Sequence, residues 1–71
     1  MYRPALILEN GKIVRQGDLL RIETSNRGAV VGKFVNATMD MFDREFFNIR
    51  VDNGVQMETV QHRYITRVMA Y

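Results

Sequence analysis

The sequence predicts a small all-β domain: a strongly bent, five-stranded antiparallel open barrel preceded by a hairpin or a short helix. Short runs of alternating apolar and polar residues, turn residues between these runs and one glycine inside a run support this prediction. The chain has 71 residues, enough for one domain and too few for two full sheets. We assign residues 1–16 to an N-terminal extension and residues 17–71 to the core barrel.

The N-terminal extension has two competing interpretations. Apolar residues at 5–8 and 13–14 flank Asn10-Gly11, a dipeptide typical of tight hairpin turns. A short helix over residues 4–8 is the alternative, because proline is tolerated in a first helical turn and leucine favours helix. We favour the hairpin.

The first barrel strand is predicted over residues 19–24, with Leu20 and Ile22 on its inner face. A turn at residues 25–28 leads into the second strand, where Gly32 lies between apolar residues of one face. Glycine weakens a strand unless a bend or a close approach requires it. We therefore predict that the second barrel strand bends at Gly32.

Three further apolar runs predict the remaining strands, over residues 45–52, 55–60 and 64–71. Asn53-Gly54 provides the turn between the first two of these runs. The first run is expected to face the core with three alternating residues, Phe47, Ile49 and Val51. The last run is apolar on both sides and is expected to be covered on both; these sides are Ile65 with Met69, and Tyr64 with Val68.

Composition limits the functions that need consideration. The chain has no cysteine, and its 10 basic and 8 acidic residues give a net charge of +2. This charge permits nucleic acid as a partner without requiring it. The sequence contains neither an apolar run long enough for a membrane nor a signal peptide, so we predict a soluble, cytoplasmic protein. Because so small a domain covers its apolar surface poorly, we expect it to self-associate.

From about residue 17 to residue 71 the pattern resembles the Sm-like family, which includes bacterial Hfq and the Sm and LSm proteins. Leu19-Leu-Arg-Ile22 resembles its first core strand, and Gly32-Lys-Phe34 resembles the centre of its bent second strand. Phe47-Asn-Ile-Arg-Val51 is similar to the apolar-Asn-apolar run of its third strand. Residues 61–66 resemble its second motif, where Hfq carries a Lys-His pair and Sm proteins carry Arg-Gly.

The resemblance implies a homo-oligomeric ring, closed by pairing the fourth core strand of one subunit with the fifth of the next. It also implies that the loops at residues 39–44 and 61–64 surround a pore that binds single-stranded RNA, in a role in RNA or DNA processing. DNA is the alternative ligand. The expected RNA-binding residues are Phe42, Asp43, Arg44, Asn48, His62, Arg63 and Tyr64.

These residues have chemistry suited to single-stranded bases, which proteins recognise by stacking and by hydrogen bonds to base edges. Phe42 or Met41 would stack on a base, Asn48 would form a hydrogen bond to its edge, and Asp43 would orient Asn48. His62 and Arg63 would stack or contact phosphate. The alternative for each is structural: Phe42 completes the core, Asp43 solvates the turn, and His62 is an exposed turn residue.

Catalysis has little support in the sequence. A single histidine without cysteine makes no metal site, and Ser25 lies far along the chain from His62. No glycine-rich phosphate loop is present. We predict no enzymatic activity, no cofactor and no small-molecule substrate.

Two other functions remain open. The first is a monomeric SH3-like module of the KOW type, found in transcription and ribosome-associated proteins. Residues 16–22 and 27–35 resemble its Gly-Asp and Gly-x-x-x-Gly elements, and the turn at 25–28 would then carry the contacts. The second is a structural, protein-binding ring without affinity for nucleic acid.

Overall fold

The structure is a computed structural model that describes residues 2–39 and 47–71. Within these residues the chain is mostly antiparallel β-structure, as predicted, with a single turn of 3-10 helix, η1. In the described ranges, no helix has the length and apolar character needed to cross a membrane. The elements are β1 (Tyr2–Arg3), β2 (Ala5–Ile7), β3 (Ile13–Arg15), β4 (Leu19–Thr24), β5 (Gly28–Met39), β6 (Phe47–Asp52), β7 (Met57–Val60), η1 (His62–Tyr64) and β8 (Ile65–Ala70).

The main sheet has the order β7-β6-β5-β4-β8, and β1 adds to β5 outside this path. Strands β2 and β3 form a separate two-stranded sheet. The chain runs from β4 to β7 as a meander, and β8 then returns to pair with β4. Strands β7 and β8 are therefore the two ends of the sheet, and within the described residues the sheet does not close into a barrel.

The Asn10-Gly11 turn connects β2 to β3, so the predicted hairpin is confirmed and the helix over residues 4–8 is wrong. Gly11 has a φ of 85°, which a residue with a side chain rarely adopts. The Asn10 side-chain oxygen accepts the Lys12 N–H at 3.0 Å, which fixes the turn. The Asn53 oxygen similarly accepts two backbone N–H groups in the turn before β7.

The long strand β5 serves different neighbours along its length. Residues 28–33 pair with β4, and residues 33–39 pair with β6. Strand β1 pairs with residues 37 and 38 of β5. A Cβ placed on Gly32 would lie 2.7 Å from the backbone oxygen of Asp52, so the close approach of β6 requires glycine there. The register between β5 and β6 shifts between Phe34 and Asn36, just after Gly32.

The core is apolar throughout the described residues and is formed by one side of β3 to β7. It confirms the predicted inner face of the first barrel strand, because Leu20 and Ile22 are fully buried. Ile49 and Val51 are buried as well, and Phe47 is partly buried and packs against the core. The buried residues are Val14, Leu20, Ile22, Val30, Phe34, Ala37, Ile49, Val51 and Val60.

A bulge corrects the predicted sides of the last strand. Thr24 pairs with Ile65 but Glu23 pairs with Arg67, so Thr66 is an extra residue between them. The extra residue turns Ile65 to the side that Val68 occupies, and both pack against the core. The prediction that paired Ile65 with Met69 is therefore wrong, and Tyr64 belongs to η1 rather than to the strand.

Candidate nucleic-acid interface

The seven predicted binding residues fall into three groups. Phe42, Asp43 and Arg44 lie outside the described residues. Asn48 lies near the start of β6, and the other three form η1. The four described residues are close in the fold, but His62 and Tyr64 line two different cavities, and Asn48 and Arg63 line neither of these two.

Asn48 holds the first residue of η1. Its side-chain oxygen accepts the backbone N–H of His62 at 3.0 Å in a partly buried position. Gln61, the residue before the 3-10 turn, provides no side-chain cap, so a side chain from β6 performs this task instead. The described contact of Asn48 is thus structural, and it fixes the position of the η1 turn relative to β6.

Arg63 and Tyr64, the second and third residues of η1, form a stacked pair. The Arg63 guanidinium carbon lies 4.8 Å from the centre of the Tyr64 ring, within the range of a cation–π contact. Arg63 Nε also donates a hydrogen bond of 3.1 Å to Gln61 Oε1. These two contacts orient an exposed, planar, positively charged group next to an aromatic ring.

The turn between β4 and β5 packs against the turn that contains η1. Ser25 N–H donates to the Tyr64 carbonyl at 2.8 Å. Arg27 reaches across to β7, where Nη2 donates to the Thr59 carbonyl at 3.2 Å and Nη1 lies 4.0 Å from Glu58 Oε1. We call residues 25–28 and 61–64 together the two-turn surface.

A small cavity of about 200 Å³ opens in the two-turn surface. Polar side chains from both turns line it, among them Asn26, Arg27, Gln61 and Tyr64. Amide groups such as those of Asn26 and Gln61 offer both hydrogen-bond donors and acceptors, as base edges do. The cavity therefore combines edge-recognition groups, a cation and one aromatic ring.

His62 faces a different and larger groove of about 620 Å³. This groove runs between the N-terminal hairpin and β8, and its apolar walls include Leu6, Phe47 and Ile65. Tyr64 does not line it, and His62 does not line the smaller cavity. The structure thus separates His62 from Tyr64, which the sequence had placed in one site.

No local pattern in the sequence indicates that the two turns meet. Residues 61–64 belong to one hypothesis and residues 25–28 to another, and neither hypothesis assigns a role to Asn26. The sequence also does not indicate the contact of Arg3, whose guanidinium carbon lies 4.4 Å from the centre of the Phe47 ring, beside the start of β6. The signal that could have indicated the turn at residues 25–28 as a binding site is its polar sequence with an arginine and a glycine.

Comparisons with models of known protein families, with curated proteins and with solved structures found no match to this chain.

Proposed function

We propose that this domain is a non-catalytic nucleic-acid-binding protein that holds single-stranded RNA, or DNA, at the two-turn surface. The observation that carries the proposal is the Arg63–Tyr64 stack beside the Arg27 turn. Single strands are bound by cations that follow the phosphates and by flat side chains on which bases stack. Arg63 offers both a charge and a plane, and the amides of Asn26 and Gln61 are available for a base edge.

Packing supports the proposal because it fixes the side chains of the two-turn surface in place and leaves the charge of Arg63 without an acidic partner among the described residues. Asn48 fixes η1 to β6, and the Ser25–Tyr64 hydrogen bond fixes η1 to the neighbouring turn. Arg63 is exposed and its hydrogen bond goes to an uncharged amide, so its charge remains available to a phosphate. An ordered cation loses less freedom on binding than a mobile one.

We further propose an Sm-like homo-oligomeric ring with a role in RNA or DNA processing. The resemblance implies ring closure by the fourth and fifth core strands, and β7 and β8 occupy these places in the chain and stand at opposite ends of the sheet. Edge strands offer unpaired backbone groups to a partner strand. Repetition around a ring would multiply the weak attraction of each two-turn surface for one RNA strand.

A monomeric KOW-type module is the second candidate, and one observation favours it. The turn at residues 25–28 is exposed, and it carries Asn26 and Arg27 on the lining of the small cavity. This reading keeps the nucleic-acid ligand but needs no ring. Light scattering coupled to size exclusion distinguishes the two candidates: a stable oligomer supports the ring, and a monomer at high concentration supports the module.

The experiment is a fluorescence-anisotropy titration of labelled single-stranded oligouridylate and oligodeoxythymidylate at two salt concentrations. We expect binding that weakens with salt, and a weaker affinity for the Arg63→Gln variant than for wild type. Arg63→Lys is the matched control, because it keeps the charge and loses the plane; an intermediate affinity indicates that stacking contributes. Absence of binding by the wild-type protein at low salt contradicts the proposed function.

A further inference from the structure

The outward side of β8, β4 and β5 is a continuous surface whose residue positions follow from the strand register. Leu20 and Ile22 of β4 point into the core, so Leu19, Arg21 and Glu23 point outward. Residues paired directly across an antiparallel sheet share a face. The partners of these three outward residues on β5 and β8 therefore lie on the same side, which we call the outer face.

Three basic residues cross the outer face along a diagonal. Lys33 of β5 pairs with Leu19, Arg21 is the next outward residue of β4, and Arg67 of β8 pairs with Glu23. Diagonal neighbours in a sheet are separated by about 7–8 Å. Each of the three strands contributes one cation, so the charges form a line across the sheet rather than a cluster.

Acidic residues only partly offset this line. Glu23 lies 3.9 Å from Arg21 in an exposed pair that salt would screen. Asp52 pairs with Lys33 from β6, where its carboxylate also accepts the Gly54 N–H. In the part of the chain that the structure describes, Lys33 and Arg67 form no ion pair within 4.0 Å.

Apolar side chains fill the corner of the outer face on one side of the cation line. Tyr71 donates its N–H to the Leu19 carbonyl and is 65% exposed, while Leu19 itself is 43% exposed. Met69 pairs with Arg21 and lies beside both of them. An exposed aromatic ring with two flanking apolar side chains next to a row of cations has the chemistry of a base-stacking platform.

The cation line begins next to the two-turn surface. Arg67 pairs with Glu23, and Glu23 is one residue before Thr24, which closes the β4–β5 turn with Gly28. Thr66, the bulged residue, joins these parts through a hydrogen bond from its hydroxyl to the Glu23 carbonyl. A strand bound at the turns therefore has a short path onto the outer face, and among the described residues the one carboxylate beside the first step of this path, Glu23, is paired with Arg21.

We propose that the outer face binds a second segment of the same single-stranded nucleic acid, with phosphates along Arg67, Arg21 and Lys33 and bases against Tyr71, Leu19 and Met69. The inference rests on the proposed function for the identity of the ligand, but it concerns a separate surface. Chemistry distinguishes this ligand from an acidic polypeptide. A carboxylate chain can use the cation line, but it has no flat groups for the apolar corner.

The test compares two oligouridylates, one of about four nucleotides and one of about ten, because site sizes of this order fit one or both surfaces. The face variant is Arg21→Gln with Arg67→Gln, and the control variant is Lys12→Gln with Arg15→Gln. The control removes the same charge from exposed positions on the N-terminal hairpin. Thermal unfolding of each variant verifies that it folds as wild type does.

We expect the face variant to lose the gain in affinity that the longer oligonucleotide has over the shorter one. Its plot of log affinity against log salt for the longer oligonucleotide should be shallower by about 1.4, since two phosphate contacts are removed. A Tyr71→Ser variant should have a lower affinity for the longer oligonucleotide but the same slope of log affinity against log salt. The control variant should retain the length dependence.

Equal behaviour of the face and control variants overturns the inference. If Arg63→Gln lowers the affinity for the short oligonucleotide while the face variant binds both oligonucleotides as wild type does, the proposed two-turn site is supported and the outer face does not bind. If only the face variant weakens binding, the outer face stands and the two-turn proposal fails. Polyglutamate that displaces the longer oligonucleotide from wild type but not from the face variant, with no effect of Tyr71→Ser, overturns the inference in favour of an acidic polypeptide.

Discussion

The two sides of β4 and its neighbours differ sharply, although they are built from alternate residues of the same strands. The inner side holds Leu20, Ile22 and Phe34, each with almost no exposed surface. The outer side holds exposed apolar residues such as Val31 together with a line of cations. Because a strand assigns alternate residues to opposite faces, a small domain can separate the residues that stabilise it from those that bind.

Among the substitutions considered, Phe34→Ala on the inner side should destabilise the protein most. Phe34 is a large, fully buried side chain, and its truncation leaves a cavity in a core with few alternatives for repacking. We expect a loss of about 3–5 kcal/mol of unfolding free energy, measured by urea denaturation. A loss below about 1 kcal/mol would mean that the core of this domain repacks freely.

Gly32→Ala tests the close approach of β5 and β6. The added Cβ would meet the Asp52 backbone oxygen, which belongs to a paired strand and cannot move alone. We expect a destabilisation of about 1–3 kcal/mol in the same urea measurement. Unchanged stability would show that β6 shifts at no cost and that glycine is not needed there.

Asn48→Ala tests the side chain that joins β6 to η1. It removes the acceptor for the partly buried His62 N–H, and we expect a loss of about 0.5–2 kcal/mol. Asn48→Asp is the matched control, because a carboxylate oxygen can accept the same hydrogen bond. If both variants lose equal stability, the hydrogen bond is not the cause.

Val31→Thr is the corresponding change on the outer side. Val31 is 40% exposed and pairs with Arg21, and the new hydroxyl can be solvated. We expect stability within about 0.5 kcal/mol of wild type. A loss comparable to that of Gly32→Ala would show that the outer face is covered in the native protein, and so would contradict a surface open to ligand.

The sequence predicted the strands well, because alternation is a local property that survives folding. Leu20, Ile22, Ile49 and Val51 face the core as their spacing indicates. The bulge at Thr66 could not be anticipated, because an extra residue is defined only by the register with β4. Strand β1 was missed for a related reason: two residues carry no periodicity, and its pairing with β5 is a tertiary event.

The candidate site was less predictable than the fold. Its turns lie far apart in the chain, and no local pattern indicates that Ser25 donates a hydrogen bond to Tyr64. The alternation in the sequence predicts the side of β4 on which Arg21 lies. The alignment of Arg21 with Lys33 and Arg67, however, depends on the registers of two separate strand pairs. Functional surfaces assembled across strands need those registers before they can be recognised.

The pairing of β8 with β4 has a consequence for the order of assembly. The other links along the main path of the sheet join consecutive strands, whereas this one joins the neighbourhood of Leu20 to that of Ala70. Closing so large a loop is slow relative to forming hairpins, so we expect β8 to dock after the meander has formed. The outer face includes β8, and Thr24 beside the two-turn surface pairs with Ile65 of β8, so an oligonucleotide would raise the melting temperature by selecting molecules in which this last step is complete.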